Sequence, residues 1–161
     1  MALDPAFGQA AKFNTDVGFN LAVSDDKKAF TASFSGLEAV LEGKSAPPIA
    51  TRVFSFTIPL TGTDPYQEIP FAVQGFVASQ KEANAHLVFT VNNQSTVMDF
   101  PANSDTSFTQ QLKYKPEDGA TEARITVFLL ADRDSTSDSA VHLNVSTIDT
   151  DMAAAAVRKA S

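Results

Sequence analysis

Along most of the chain, apolar and polar residues alternate with a period of two, the pattern of strands that bury one face. It begins at Val17, Phe19, Leu21 and Val23, which alternate with Gly18, Asn20 and Ala22. Ser24-Asp25-Asp26-Lys27-Lys28 is a polar turn, and Phe30, Ala32 and Phe34 then resume the pattern. Beyond Gly36 the apolar phase moves from even to odd positions, at Leu37, Ala39 and Leu41. Such a slip at a glycine predicts a β-bulge or a bend. After a loop through Pro47-Pro48, Phe54, Phe56, Ile58 and Leu60 form a strand closed by Thr61-Gly62-Thr63-Asp64-Pro65. Ile69, Phe71 and Val73 follow, with a second slip expected at Gly75 into Phe76 and Ala78.

The second half repeats the pattern. Ala85, Leu87, Phe89 and Val91 lead through Asn92-Asn93-Gln94 into Thr96, Met98 and Phe100. Phe108, Leu112 and Tyr114 precede the turn Lys115-Pro116-Glu117-Asp118-Gly119. Ala123, Ile125, Val127 and Leu129 form the most apolar strand, with Phe128 and Leu130 on its other face, and Val141, Leu143 and Val145 close the set. About nine strands with closely spaced turn signals predict an all-β fold, an antiparallel β-sandwich or jelly roll. The strand–helix alternation of α/β folds is absent. One β-sandwich domain over residues 1–161 is expected, with an N-terminal arm at 1–16 and a C-terminal tail or short helix at 150–161. In the arm, Asp4-Pro5 would start a helical turn over Ala6 to Lys12. At the other end, Asp151 would cap a helix over Met152 to Lys159, with Arg158 and Lys159 in its last turn.

Composition narrows the function. Thirteen phenylalanines fall mostly at inward phases and supply a core. No cysteine occurs, which removes disulfides, thiol nucleophiles and cysteine-ligated metals. A net charge of −7 has the wrong sign for a phosphate backbone, so no nucleic acid is expected. No run approaches the roughly 18–20 apolar residues of a membrane span. The first twenty residues lack the basic start and apolar run of a secretory signal. A cytoplasmic or particle-associated protein is therefore expected over a secreted one. The absence of Trp, with only Tyr66 and Tyr114 as tyrosines, weighs against a sugar platform.

Candidate chemistry is sparse. His86 and His142 each sit within a strand, opposite its main apolar stripe, and read as outward-facing residues. No nucleophile elbow, paired-histidine metal motif or glycine-rich phosphate loop is present. Asn93-Gln94-Ser95 and Asn144-Val145-Ser146 match the glycosylation acceptor pattern. The segment Asp132-Arg133-Asp134-Ser135-Thr136-Ser137-Asp138 places oxygen ligands at every second position, namely Asp132, Asp134, Thr136 and Asp138. Calcium takes six to eight oxygens, and such a run can aim several at one point. However, Ser137 stands where an EF-hand loop needs glycine, and no closing glutamate follows. From Asp118 to Asp151 there are seven acids and two bases, so this third carries −5 of the total charge.

These readings predict a non-enzymatic structural or interaction protein. The expected form is a self-assembling subunit of filament, shell, capsid or decoration type, partnered by copies of itself or by a host-scaffold protein. The alternative is a calcium-dependent ligand-binding or adhesion module using Asp132, Asp134, Thr136 and Asp138. Calcium is the one cofactor either reading admits. An enzyme is the third class, and nothing in the motifs supports it.

Overall fold

Strands with one apolar face need a second apolar face to cover it, and two antiparallel sheets meet that need here. The computed structural model describes residues 6–7, 11–12, 17–43, 48–61, 68–117 and 119–151. The first sheet contains β1 (Ala6–Phe7), β2 (Ala11–Lys12), β6 (Ile49–Thr61), β8 (Ala83–Val91), β9 (Gln94–Phe100) and β11 (Glu122–Arg133). Its order is β1-β6-β11-β8-β9, with β2 also on β6. The second sheet contains β3 (Gly18–Val23), β4 (Ala29–Ser35), β5 (Glu38–Leu41), β7 (Ile69–Ser79), β10 (Asp105–Tyr114) and β12 (Val141–Asp151). Its order is β10-β7-β12-β4-β3, with β5 also on β12. From β5 onward the chain changes sheet at every connection except the β8–β9 hairpin. This alternation is that of a jelly-roll sandwich.

The two short N-terminal strands correct the expected helical turn over Ala6 to Lys12. The free edge of β6 offers unpaired backbone groups, and pairing Ala6 with Thr61 and Ala11 with Thr57 uses them. An isolated helical turn has no comparable source of stability. The helix expected over Met152 to Lys159 lies outside the described residues, and no helix occurs among those described. Asp151, read as its cap, is instead the last residue of β12 and pairs with Ala29.

Both sheets contribute to one apolar cluster, and its phenylalanines interlock across the gap. Phe19 lies 5.3 Å from Phe54 and 5.0 Å from Phe56, while Phe71 lies 6.2 Å from Phe89. These rings meet tilted or edge-on, the arrangements their quadrupoles favour. At the sandwich margin Phe100 and Phe108 approach to 4.8 Å.

A line of irregularity crosses the second sheet. Gly36, at φ +82°, separates β4 from β5, and the inward phase moves as the sequence predicts. Beside it, β12 carries a register shift between Val145 and Thr147, and its buried set moves from Val141, Leu143 and Val145 to Ile148 and Thr150. Gly75 faces the same point from β7. The slip expected at Gly75 is therefore corrected. β7 keeps its inward phase through Ile69, Phe71, Val73 and Val77, and the extra residue belongs to its neighbour. Gly75 is required for a different reason. A Cβ there would collide with the Asn144 carbonyl oxygen and stand 2.7 Å from Phe108 Cζ.

Candidate functional site

The four predicted calcium ligands are placed by turn chemistry. Asp132 ends the outward row of β11, with Oδ2 3.5 Å from His86 Nε2. Asp134 Oδ1 accepts from the Thr136 amide and from Thr136 Oγ1, both at 3.1 Å, so these two residues close their own turn. Asp138 is exposed. Between them, the buried Arg133 donates to the carbonyls of Ser139 and Gly43, which ties this loop to the segment before β6. Among the described residues no three His, Cys, Asp or Glu side chains gather as a metal site would require.

Each histidine lies on an outer face beside a carboxylate. His86 Nδ1 stands 2.7 Å from Asp99 Oδ1 on the first sheet, and His142 Nε2 stands 2.7 Å from Glu38 Oε2 on the second. The acceptor asparagines of the two glycosylation patterns are also engaged. Asn93 Nδ2 donates to Glu117 at 2.7 Å, and Asn144 Oδ1 accepts from the Phe76 amide at 2.9 Å.

The outer face of the second sheet carries the most built arrangement. Antiparallel register lines up Ala22, Thr31, Asp149, Ala72 and Gln111 in one row across β3, β4, β12, β7 and β10. Their small side chains, with Ala29 and Pro70 one step along the strands, leave a groove of ≈ 590 Å³ over the sheet. Asp149 stands in its middle. Oδ1 accepts from Thr31 Oγ1 at 2.6 Å and Oδ2 from Gln74 Nε2 at 3.4 Å, which fixes the carboxylate while leaving acceptor capacity.

One end of the groove is bordered by the β3–β4 turn. Asp26 Oδ1 accepts from Ser24 Oγ at 2.6 Å and from the Lys28 amide at 3.0 Å. These two hydrogen bonds, that of Ser24 first, hold its carboxyl below the ordinary range. Ser24 Oγ also accepts from the Ala29 amide, so the turn is pinned at both ends.

Next to the groove runs a second row, Asn20, Ser33, Thr147, Gln74 and Thr109, composed wholly of hydroxyl and amide side chains. The Thr147 hydroxyl is buried without a hydrogen-bond partner among the described residues. The third row holds Glu38, Asn144, Phe76 and Ser107. Sequence reasoning missed this face because its residues come from five strands and occupy the polar phase of each. In the sequence they resemble any solvated side of a sheet.

No protein-family model matches the chain, and no curated protein does. Among solved structures, a family 61 carbohydrate-binding module in complex with β-1,4-galactotriose is similar at TM-score 0.36 and 9% identity, covering 83% of this chain and 88% of that one. The enzymatically active domain of tailspike protein 4 from bacteriophage CBA120 gives 0.32 and 14%, covering 89% of this chain and 19% of that one. A family 11 carbohydrate-binding module from Clostridium thermocellum, with a mixed-linked tetrasaccharide, gives 0.27 and 12%, covering 91% and 86%. Likeness at this level assigns no family.

The expectation of a self-assembling filament, shell, capsid or decoration subunit is not met among these neighbours. Two of the three are carbohydrate-binding modules and the other is an enzymatic domain. Partnership with copies of the chain or with a host scaffold finds no support among them. The two outer faces differ: that of the second sheet carries rows of hydroxyls and amides, while that of the first lines up Val53, Phe128, Val88 and Val97 in one apolar row. No helix among the described residues is long and apolar enough to cross a membrane.

Proposed function

We propose that the chain is a binding module for a neutral glycan, held in the groove on the outer face of its second sheet. The observation that carries this reading is the groove itself, ≈ 590 Å³ over a floor of small side chains with Asp149 fixed at its centre. A sugar ring presents hydroxyls that both donate and accept. Asp149 accepts, while Gln111 and Gln74 can do either, as can the Ser33 and Thr109 hydroxyls in the row beyond. Alanines and a proline at the floor let the ring approach the sheet without a bulky side chain in the way.

Binding suits the site better than catalysis. Both histidines lie outside the row that forms the groove, and the central carboxylate is already bonded to Thr31 and Gln74. Missing tryptophan weighs against a sugar platform only while the phenylalanines, Phe76 among them, fall mostly at inward phases. Phe76, 38% exposed on this face, does not.

Isothermal calorimetry of the purified chain against soluble neutral polysaccharides tests the reading. Ala72→Trp fills the groove from an outward position and should leave the melting temperature nearly unchanged. It is expected to weaken binding at least about tenfold, a loss of about 1.4 kcal/mol. Equal affinity of the variant and the wild type would move the site elsewhere. Silence of the wild-type chain towards every polysaccharide would end the glycan reading.

A further inference from the structure

The bulge in β12 and Gly75 in β7 meet at one point of the second sheet, and the residue beside them is Phe76. Among the described residues Phe76 is the aromatic side chain that is exposed, at 38%. Its amide is held by Asn144 Oδ1 at 2.9 Å, and Ser146 Oγ donates to the Gln74 carbonyl at 3.0 Å across the same irregularity. Bulges re-aim side chains and bend the strand that carries them. The sheet gives up its regular ladder at the spot where this ring stands.

We infer that Phe76 is a second contact of the same face, a stacking platform for a sugar ring of a chain that also fills the groove. This rests on the glycan reading and adds the length and direction of the ligand. Ala72 and Phe76 both point outward from β7, four residues apart, so their separation is about 13 Å at a strand's rise of about 3.3 Å per residue. Between them lies the row with Gln74 and Ser33, both able to hydrogen-bond hydroxyls. The ligand therefore runs parallel to the strands and must be an oligomer long enough to reach both contacts. A disaccharide fills the groove and leaves Phe76 uncovered. The aromatic face meets the C–H side of a ring, while Asn144 and Ser107 flank it with polar groups.

The test is a length series of cello-, galacto- and mixed-linked gluco-oligosaccharides of two to six rings. Wild-type affinity should climb with length and then level off. Phe76→Ala should remove about tenfold from the longest ligand and leave the disaccharide unchanged, whereas Phe76→Tyr should keep most of the gain. Because the chain contains no tryptophan, Phe76→Trp introduces a single indole whose emission should shift with long ligands only. If Phe76→Ala weakens short and long ligands alike, or neither, the platform is refuted and the groove reading stands. Failure of the wild type to bind any member of the series overturns the glycan reading, and this inference with it.

Discussion

Tyr114 shows how a single buried polar group sets a pH limit. It is fully buried at the end of β10, and Asn92 Nδ2 donates to its hydroxyl at 2.5 Å. The same asparagine donates to the Glu122 carbonyl and accepts from the Arg124 amide, so the β8–β9 turn is fastened to the start of β11. Burial pushes the phenol above its ordinary value, the Glu117 charge adds to this, and the Asn92 bond opposes it. A folded-state pKa raised above the unfolded one contributes stability that is complete below the unfolded value. That contribution is lost as pH rises through the folded value. Urea midpoints of the wild type should therefore fall above about pH 10. Tyr114→Phe should lose about 1 kcal/mol at neutral pH, where Asn92 is left without this partner, and should fall less steeply in alkali. Parallel alkaline limbs in the two proteins would show that Tyr114 is not the group responsible.

At the scale of elements, the irregular line through Gly36, the β12 bulge and Gly75 separates two kinds of glycine. Gly36 has φ +82° and open space where a side chain would go, so Gly36→Ala pays only for the backbone, about 1 kcal/mol. Gly75 faces the Asn144 carbonyl and Phe108, neither of which can swing aside freely. Gly75→Ala should cost about 2–4 kcal/mol, read as a lower denaturation midpoint, because β7 must part from β12. A cost no larger than that of Gly36→Ala would mean that the bulge absorbs the methyl group.

The same line explains what was legible in the sequence. The strands could be read because most bury one face, and Phe30, Phe54, Leu87 and Ile125 mark that face directly. The Gly36 slip was legible because the apolar phase changes within its own segment. At Gly75 the sequence misleads because Phe76 and Ala78 continue an apolar alternation although both face outward, while the displaced residue sits in β12, far away in sequence. The N-terminal strands carry no alternation and exist only because the edge of β6 was free to pair. The groove was invisible for a related reason. Ala22, Thr31, Ala72, Gln111 and Asp149 acquire meaning only through a register that joins five strands.

For the whole molecule, the acidic C-terminal third does not form a single pole. Asp132 faces His86, Asp134 closes its own turn, Glu122 lies 3.6 Å from Arg124, and Asp149 sits in the groove on the other sheet. Among the described residues no three of these carboxylates gather at one point, whereas the groove gathers its polar groups in one place. Thermal denaturation distinguishes these two sites in one experiment. A ligand that binds only the folded chain stabilises it by about 2.7 kcal/mol at one hundred times its dissociation constant. For a chain of this size that corresponds to a rise of roughly 5–11 °C in Tm. Millimolar calcium, or a chelator, should therefore move Tm by less than about 1 °C, while a bound polysaccharide should raise it by several degrees. Asp149→Asn should reduce the polysaccharide-induced rise, and Asp134→Asn should leave it intact. A calcium-induced rise of several degrees that Asp134→Asn abolishes would return the ligand site to the loop between β11 and β12.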